Sequence, residues 1–179
     1  ALTLEMNKAI EDSVNDGVPF FAYMAHYAVH SPFQTDSRFA ANYPTLSGNN
    51  LAFATMIEGM DKSLGDIVAK INSLGVGEDT LVIFISDNGS DSPSGSAPLR
   101  ANKGSKYEGG SRVPMITAWA QHKPSNPFQT TLNIPTNTYE DDIVACFDIF
   151  PTILGVANVS QSNAIDGYDL RPYFKASPG

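Results

Sequence analysis

A chain of 179 residues, 42% hydrophobic and 17% charged, holds enough apolar material for one domain with a real core and is not a disordered segment. Its net charge of −8 argues against nucleic acid as a partner, because phosphate binding needs clustered Lys and Arg. No apolar run approaches a membrane span, a lone Cys146 excludes an intrachain disulfide, and no Cys/His pair has zinc spacing.

In chain order, residues 3–16 mix apolar and acidic positions and predict a helix, stopped by Gly17 and Pro19. The start has neither an initiator Met nor a basic-then-apolar leader, so the chain reads as an excised piece or a processed product. Pro19-Phe20-Phe21-Ala22-Tyr23-Met24 predicts a buried strand, and residues 25–49 a long loop. Residues 50–74 predict the strongest helix. Met56, Met60, Leu64, Ile67, Val68, Ile71 and Leu74 form its apolar stripe, and Glu58-Lys62 and Asp66-Lys70 are expected to pair. Leu81-Val82-Ile83-Phe84-Ile85-Ser86 predicts a second strand and residues 114–119 a third. Between them, residues 87–112 read as loop, with Ser92-Pro93-Ser94-Gly95-Ser96 its most mobile part. Residues 120–141 read as a surface excursion and 143–157 as a helix broken or begun at Pro151. Residues 166–172 read as a turn before a short final element. Cys146, in an apolar setting, reads as a buried packing residue.

Strand, helix, strand, loop, strand predicts an α/β fold with a mostly parallel sheet flanked by helices. Residues 19–86 would be its crossover unit. Ligands of such sheets sit beyond the carboxyl ends of the strands. His26 and His30 would follow the first strand there, and Asp87 and Asn88 the second. Asp87 and Asn88 offer the oxygen ligands that Ca²⁺ and Mg²⁺ prefer, although an Asp-Asn-Gly sequence is also a common turn. Lys103 could bring an ammonium to the same place or simply be a solvated surface lysine. His30 could donate a hydrogen bond to an anion, protonate a leaving group, or serve loop polarity. Glu108 and Arg112 read as a structural ion pair. A divalent cation beside an ammonium points to a small dense anion, a sulfate or phosphate ester.

Several segments, in order, resemble the sulfatases of the alkaline-phosphatase-like superfamily. They are Pro19-Phe20-Phe21-Ala22-Tyr23, His30-Ser31-Pro32-Phe33, Ile57-Glu58-Gly59-Met60-Asp61, Ser86-Asp87-Asn88-Gly89, Pro98-Leu99-Arg100, Lys103-Gly104, Tyr107-Glu108-Gly109-Gly110, Arg112-Val113-Pro114, Asp148-Ile149-Phe150-Pro151-Thr152 and Asp166-Gly167. The resemblance implies that Asp87 and Asn88 are two ligands of a Ca²⁺, with Mg²⁺ the other candidate. It implies that Lys103 contacts the substrate sulfate and that His30 stands on the sulfate and leaving-oxygen side. The family's nucleophile, a formylglycine made from the first residue of Cys (or Ser)-x-Pro-x-Arg, is read as absent, since Cys146 is followed by Phe147-Asp148. Residues 1–179 are therefore expected to be the C-terminal part of a sulfatase catalytic domain, with a partial alkaline-phosphatase-like fold. Alone it is expected to turn over no sulfate ester, to bind divalent metal weakly and to self-associate through an exposed sheet edge. The substrate implied is an aryl or carbohydrate sulfate ester and the compartment periplasmic or secreted. The alternatives are a phosphate or phosphonate monoester hydrolase of the same superfamily and a catalytically silent sulfatase-like binding domain. A flavodoxin-like module is the remotest, for want of a phosphate loop.

Overall fold

The computed structural model describes residues 1–91 and 95–174, so residues 92–94 of the expected mobile stretch lie outside the described residues. Helices α1 (Leu2–Asn15) and α2 (Gly48–Ser73) pack together. Ile10 of α1 meets Ile67 and Ile71 of α2, and Met6, Val14, Phe20, Met24, Leu74, Val76 and Ala120 close around them. Ile67 and Ile71, one helical turn apart, therefore lie on the same face, as the stripe predicts. Among the described residues, the expected pairs Glu58–Lys62 and Asp66–Lys70 do not form. Lys62 donates to Asp66 instead, at 2.8 Å, and Lys70 crosses to Glu11 of α1 at 2.7 Å. Glu58 accepts from the Asn42 amide at 2.6 Å and from the Tyr43 hydroxyl, whose pKa that bond raises. Lys62 thus exchanges one pair within α2 for another, while Glu58 and Lys70 take partners outside it, since each local pair is worth only about 0.2–0.5 kcal/mol.

The expected parallel sheet is not formed. Strands β1 (Leu81–Ile85) and β2 (Met115–Trp119) are antiparallel, with Leu81 opposite Trp119 and Ile85 opposite Met115. Parallel pairing would need a crossover between them, and the described residues of 86–114 carry only the one-turn α3 (Glu108–Ser111). Residues 19–24 form no strand. Among the described residues no main-chain-to-main-chain hydrogen bond involves residues 19–35. Phe20 and Met24 turn to the core, while Phe21 and Tyr23 are 70% and 80% exposed. Apolar content favours a strand only where a neighbour supplies the ladder, and among the described residues β1 pairs with β2 alone.

Beyond β2 the excursion contains α4 (Pro127–Thr131). Its N-cap Asn126 accepts from the Phe128 N–H at 2.8 Å, and Pro127 sits in the first turn, where no helical donor is needed. The predicted helix over 143–157 shortens to α5 (Ile149–Val156), with Pro151 likewise in its first turn. Cys146 is exposed, not buried, because the inward residue of its tight Cys146–Asp148 turn is Asp148. The Asp148 carboxylate accepts the Ala145 N–H at 2.7 Å and the Tyr168 N–H at 2.8 Å. The Thr152 hydroxyl donates to Asp148 O and accepts the Leu170 N–H. Asp148 and Thr152 thus fasten residues 145–148 and 168–170 to the start of α5. No helix among the described residues is long and apolar enough to cross a membrane.

Candidate cation and anion site

The end of β1 runs into Ser86-Asp87-Asn88-Gly89, and the Ser86 hydroxyl donates to Asn88 O at 3.0 Å. Gly89 then packs flat against the turn at Gly109-Gly110. Its N–H donates to Gly110 O at 2.9 Å, and a Cβ at Gly89 would lie 1.9 Å from Gly109 O. Only glycine permits that approach. The Lys103 N–H donates to Ser90 O at 3.0 Å and the Gly109 N–H to Arg100 O at 2.9 Å. These bonds lace the Asp87–Asn88 turn and the Lys103 turn into one frame, so three of the four predicted residues belong to a single hydrogen-bonded loop.

His30 stands on the other expected loop. Its Nδ1 bonds Ser31 O at 2.8 Å, and its ring lies 5.5 Å from that of Tyr27. None of its described contacts reaches Asp87, Asn88 or Lys103. Burial pushes the His26 pKa down, which favours its neutral ring and suits it poorly to holding an anion.

The polar groups of the laced loop are unevenly satisfied. Asn88 Oδ1 is shut away from solvent and accepts no hydrogen bond. An orphaned buried carbonyl costs about 1–3 kcal/mol, a cost that a cation could offset. The Asp87 carboxylate is exposed and has no described ion pair. A hard cation fits this donor pair, yet two oxygens cannot fill six or more positions. Among the described residues no group of three or more His, Cys, Asp or Glu could hold a metal.

The anion side is locally basic in an acidic chain. Arg100, Lys103, Lys106 and Arg112 fall within residues 100–112, against the single acid Glu108, which pairs with Arg112 at 3.5 Å as expected. Arg100 is spent on the Tyr107 ring, 3.6 Å from its centroid. Lys103 is exposed and in no described ion pair, so its charge is available to a ligand. A hollow of about 250 Å³ beside Trp119 and Gln129 and another of about 620 Å³ between α1 and α2 contain none of the four predicted residues.

One pentapeptide corrects the sequence reading. Ser96-Ala97-Pro98-Leu99-Arg100 has the Ser-x-Pro-x-Arg spacing read as absent, and simple inspection for serine as well as cysteine finds it. Its hydroxyl is engaged: Ser96 Oγ donates to Gly109 O at 2.7 Å.

The sulfatase family profile matches residues 1–159. Human arylsulfatase A is 33% identical over 167 residues, which cover 90% of this chain and 30% of that protein. A sulfatase of Formosa agariphila is 30% identical over 162 residues, covering 83% of this chain and 28% of its own length. The chain thus spans less than a third of these curated relatives. Among solved structures, Ps i-CgsB in complex with k-i-k-neocarrahexaose superposes with a TM-score of 0.85 at 29% identity, over 97% of this chain and 37% of that one. PsFucS1 sulfatase from Pseudoalteromonas sp. gives 0.79 at 27% identity, over 99% and 34%. With most of its length matched by the family profile and its backbone superposing on solved relatives, the chain belongs to the sulfatase family.

Proposed function

We propose that this chain contributes the cation-holding turn and an anion-holding lysine to a site that hydrolyses sulfate esters. The observation that carries it is the orphaned Asn88 Oδ1 in the same hydrogen-bonded frame as Lys103, whose ammonium has no ion pair among the described residues. Asp87 and Asn88 offer hard oxygens to a divalent cation, for which Ca²⁺ is the first candidate and Mg²⁺ the second. Such a cation, when bound, supplies Lewis-acid polarisation and orients the ester's oxygens. Lys103 holds the ester's negative oxygens as a compact point charge, favoured over water by its lack of a competing carboxylate. The Nδ1 of His30 is fixed by Ser31 O, which leaves Nε2 as the atom that exchanges a proton with a leaving-group oxygen. No described residue is assigned the nucleophile. A formylglycine, which the family resemblance implies, is proposed to come from a part of the working enzyme beyond these residues.

Two measurements on the 179-residue chain test this reading. Calorimetry with calcium chloride is expected to show weak binding, about millimolar, lost in Asn88→Ala. Incubation with an aryl sulfate and calcium is expected to release no alcohol. Tight calcium binding unaffected by Asn88→Ala, or turnover by the pure chain, would overturn the assignment.

A further inference from the structure

We propose that Ser96 is a positioning residue: it ties the Asp87–Asn88 turn and Lys103 into one rigid frame. What it positions rests on the sulfate-ester reading, but the tie itself is geometric. Ser96 touches three parts of the loop at once. Its Oγ donates to Gly109 O at 2.7 Å and lies 3.4 Å from Ser90 O, and its N–H donates to the Asn102 side-chain oxygen at 2.9 Å. Gly109 belongs to the turn that backs Gly89, Ser90 follows the cation-side turn, and Asn102 precedes Lys103. The other bonds of the frame, Gly89 N–H to Gly110 O, Lys103 N–H to Ser90 O and Gly109 N–H to Arg100 O, join the same segments. Ser96 therefore sits where they converge, half-buried, in a loop whose described residues form a single helical turn, α3. A hydroxyl has one hydrogen to donate, and this one is committed to Gly109 O. The Ser-x-Pro-x-Arg spacing at Ser96 thus marks a tie, not a free reactive group.

The test is amide hydrogen exchange by NMR on the 179-residue chain. In Ser96→Ala, the amides of Gly89, Lys103 and Gly109 are expected to exchange together, about three- to ten-fold faster, the loss of roughly one net hydrogen bond. The β1–β2 amides should keep their rates, and Ser96→Thr, which retains the hydroxyl, should restore all three. Asn102→Ala removes the other arm and should loosen Lys103 and Gly89 in the same concerted way, which keeps the proposal decidable if Ser96→Ala does not fold. Unchanged exchange at Gly89 and Lys103 in either folded variant overturns it. So does faster exchange spread over the whole molecule, or failure of threonine to rescue. A Ser96 residue found by mass spectrometry to lack two hydrogens, an aldehyde in place of the alcohol, also overturns it. Titration with sodium sulfate and calcium chloride separates this from the functional reading. If neither ligand moves the loop's resonances while exchange stays concerted, the tie stands and the sulfate-ester reading fails.

Discussion

The loop over residues 86–112 and the C-terminal clamp over residues 145–171 solve the same problem in opposite ways. Both contain irregular stretches that must find partners for main-chain polar groups outside a helix or ladder. The clamp does it with buried side chains. Asp148 is 5% exposed and satisfies two N–H groups, and Thr152, fully buried, both donates and accepts. The site loop relies largely on main chain against main chain, brought close by Gly89 and Gly109, with Ser96 and Asn102 as its side-chain arms. Its Asp87 and Lys103 side chains are both exposed. One region spends its carboxylate on holding itself together; the other leaves the Asp87 carboxylate, Asn88 Oδ1 and the Lys103 ammonium without described partners. A group kept unsatisfied in a well-stitched loop, at a cost in stability, is where a ligand is to be sought.

The comparison breaks most sharply at Asp148. Asp148→Ala removes the acceptor of two N–H groups in a largely buried setting, and each orphan costs about 1–3 kcal/mol. A loss of about 2–5 kcal/mol is expected, read from the urea midpoint and from amide exchange at Tyr168 and Leu170. The site loop should be untouched, since the clamp shares no described hydrogen bond with it. Equal loosening at Gly89 would show that the two regions are not separate.

Asn88 should behave in the opposite sense. Without divalent cation, Asn88→Ala deletes a carbonyl that accepts nothing. The expected result is no loss of stability, or a gain of up to about 1 kcal/mol. With calcium in excess, the wild type alone should be stabilised, by mass action. Thermal unfolding of both proteins, with calcium and with a chelator, checks the crossing of the two effects. A metal-independent loss in the variant would mean that Asn88 is a structural cap like Asp148.

The sequence carries these two regions unequally. Helical spacing located α1 and α2 to within two residues at each end, and the apolar runs located β1 and β2, because those signals are local. The Asp87-Asn88-Gly89 turn at the end of β1 was equally legible. Strand pairing was not. Residues 19–24 carry strand-like composition, yet a ladder depends on neighbours distant in sequence, and the return over residues 86–114 sets antiparallel pairing. Among the described contacts, the clamp joins Asp148 to Tyr168, twenty residues on, through a bond that no spacing rule contains. Cys146 looked buried because its neighbours are apolar, and only the tight turn shows which residue points inward. The Ser-x-Pro-x-Arg spacing at Ser96 is legible by inspection, but the partners of Ser96 are not, since they lie six to thirteen residues away.

Acid offers the mildest way to separate the regions. In the clamp, burial pushes the Asp169 pKa up, but the hydrogen bonds and charge of Arg171 outweigh it and hold the carboxyl below its ordinary 3.8. Arg171 also donates to Gly155 O at 2.7 Å, so the pair helps to pin the chain beyond Leu170 against α5. A carboxyl depressed in the folded state binds its proton more readily when unfolded. Its contribution is therefore complete above about pH 5 and is lost as pH falls through 3.8 and below. Both groups are partly exposed, which limits the effect to about 1 kcal/mol or less. Protection from amide exchange at Tyr173 and Phe174, whose N–H groups close this last turn, taken relative to the intrinsic rate at each pH, should fall on acidification in the wild type and stay flat in Asp169→Asn. An equal acid response in Asp169→Asn would assign the sensitivity to a group other than this pair.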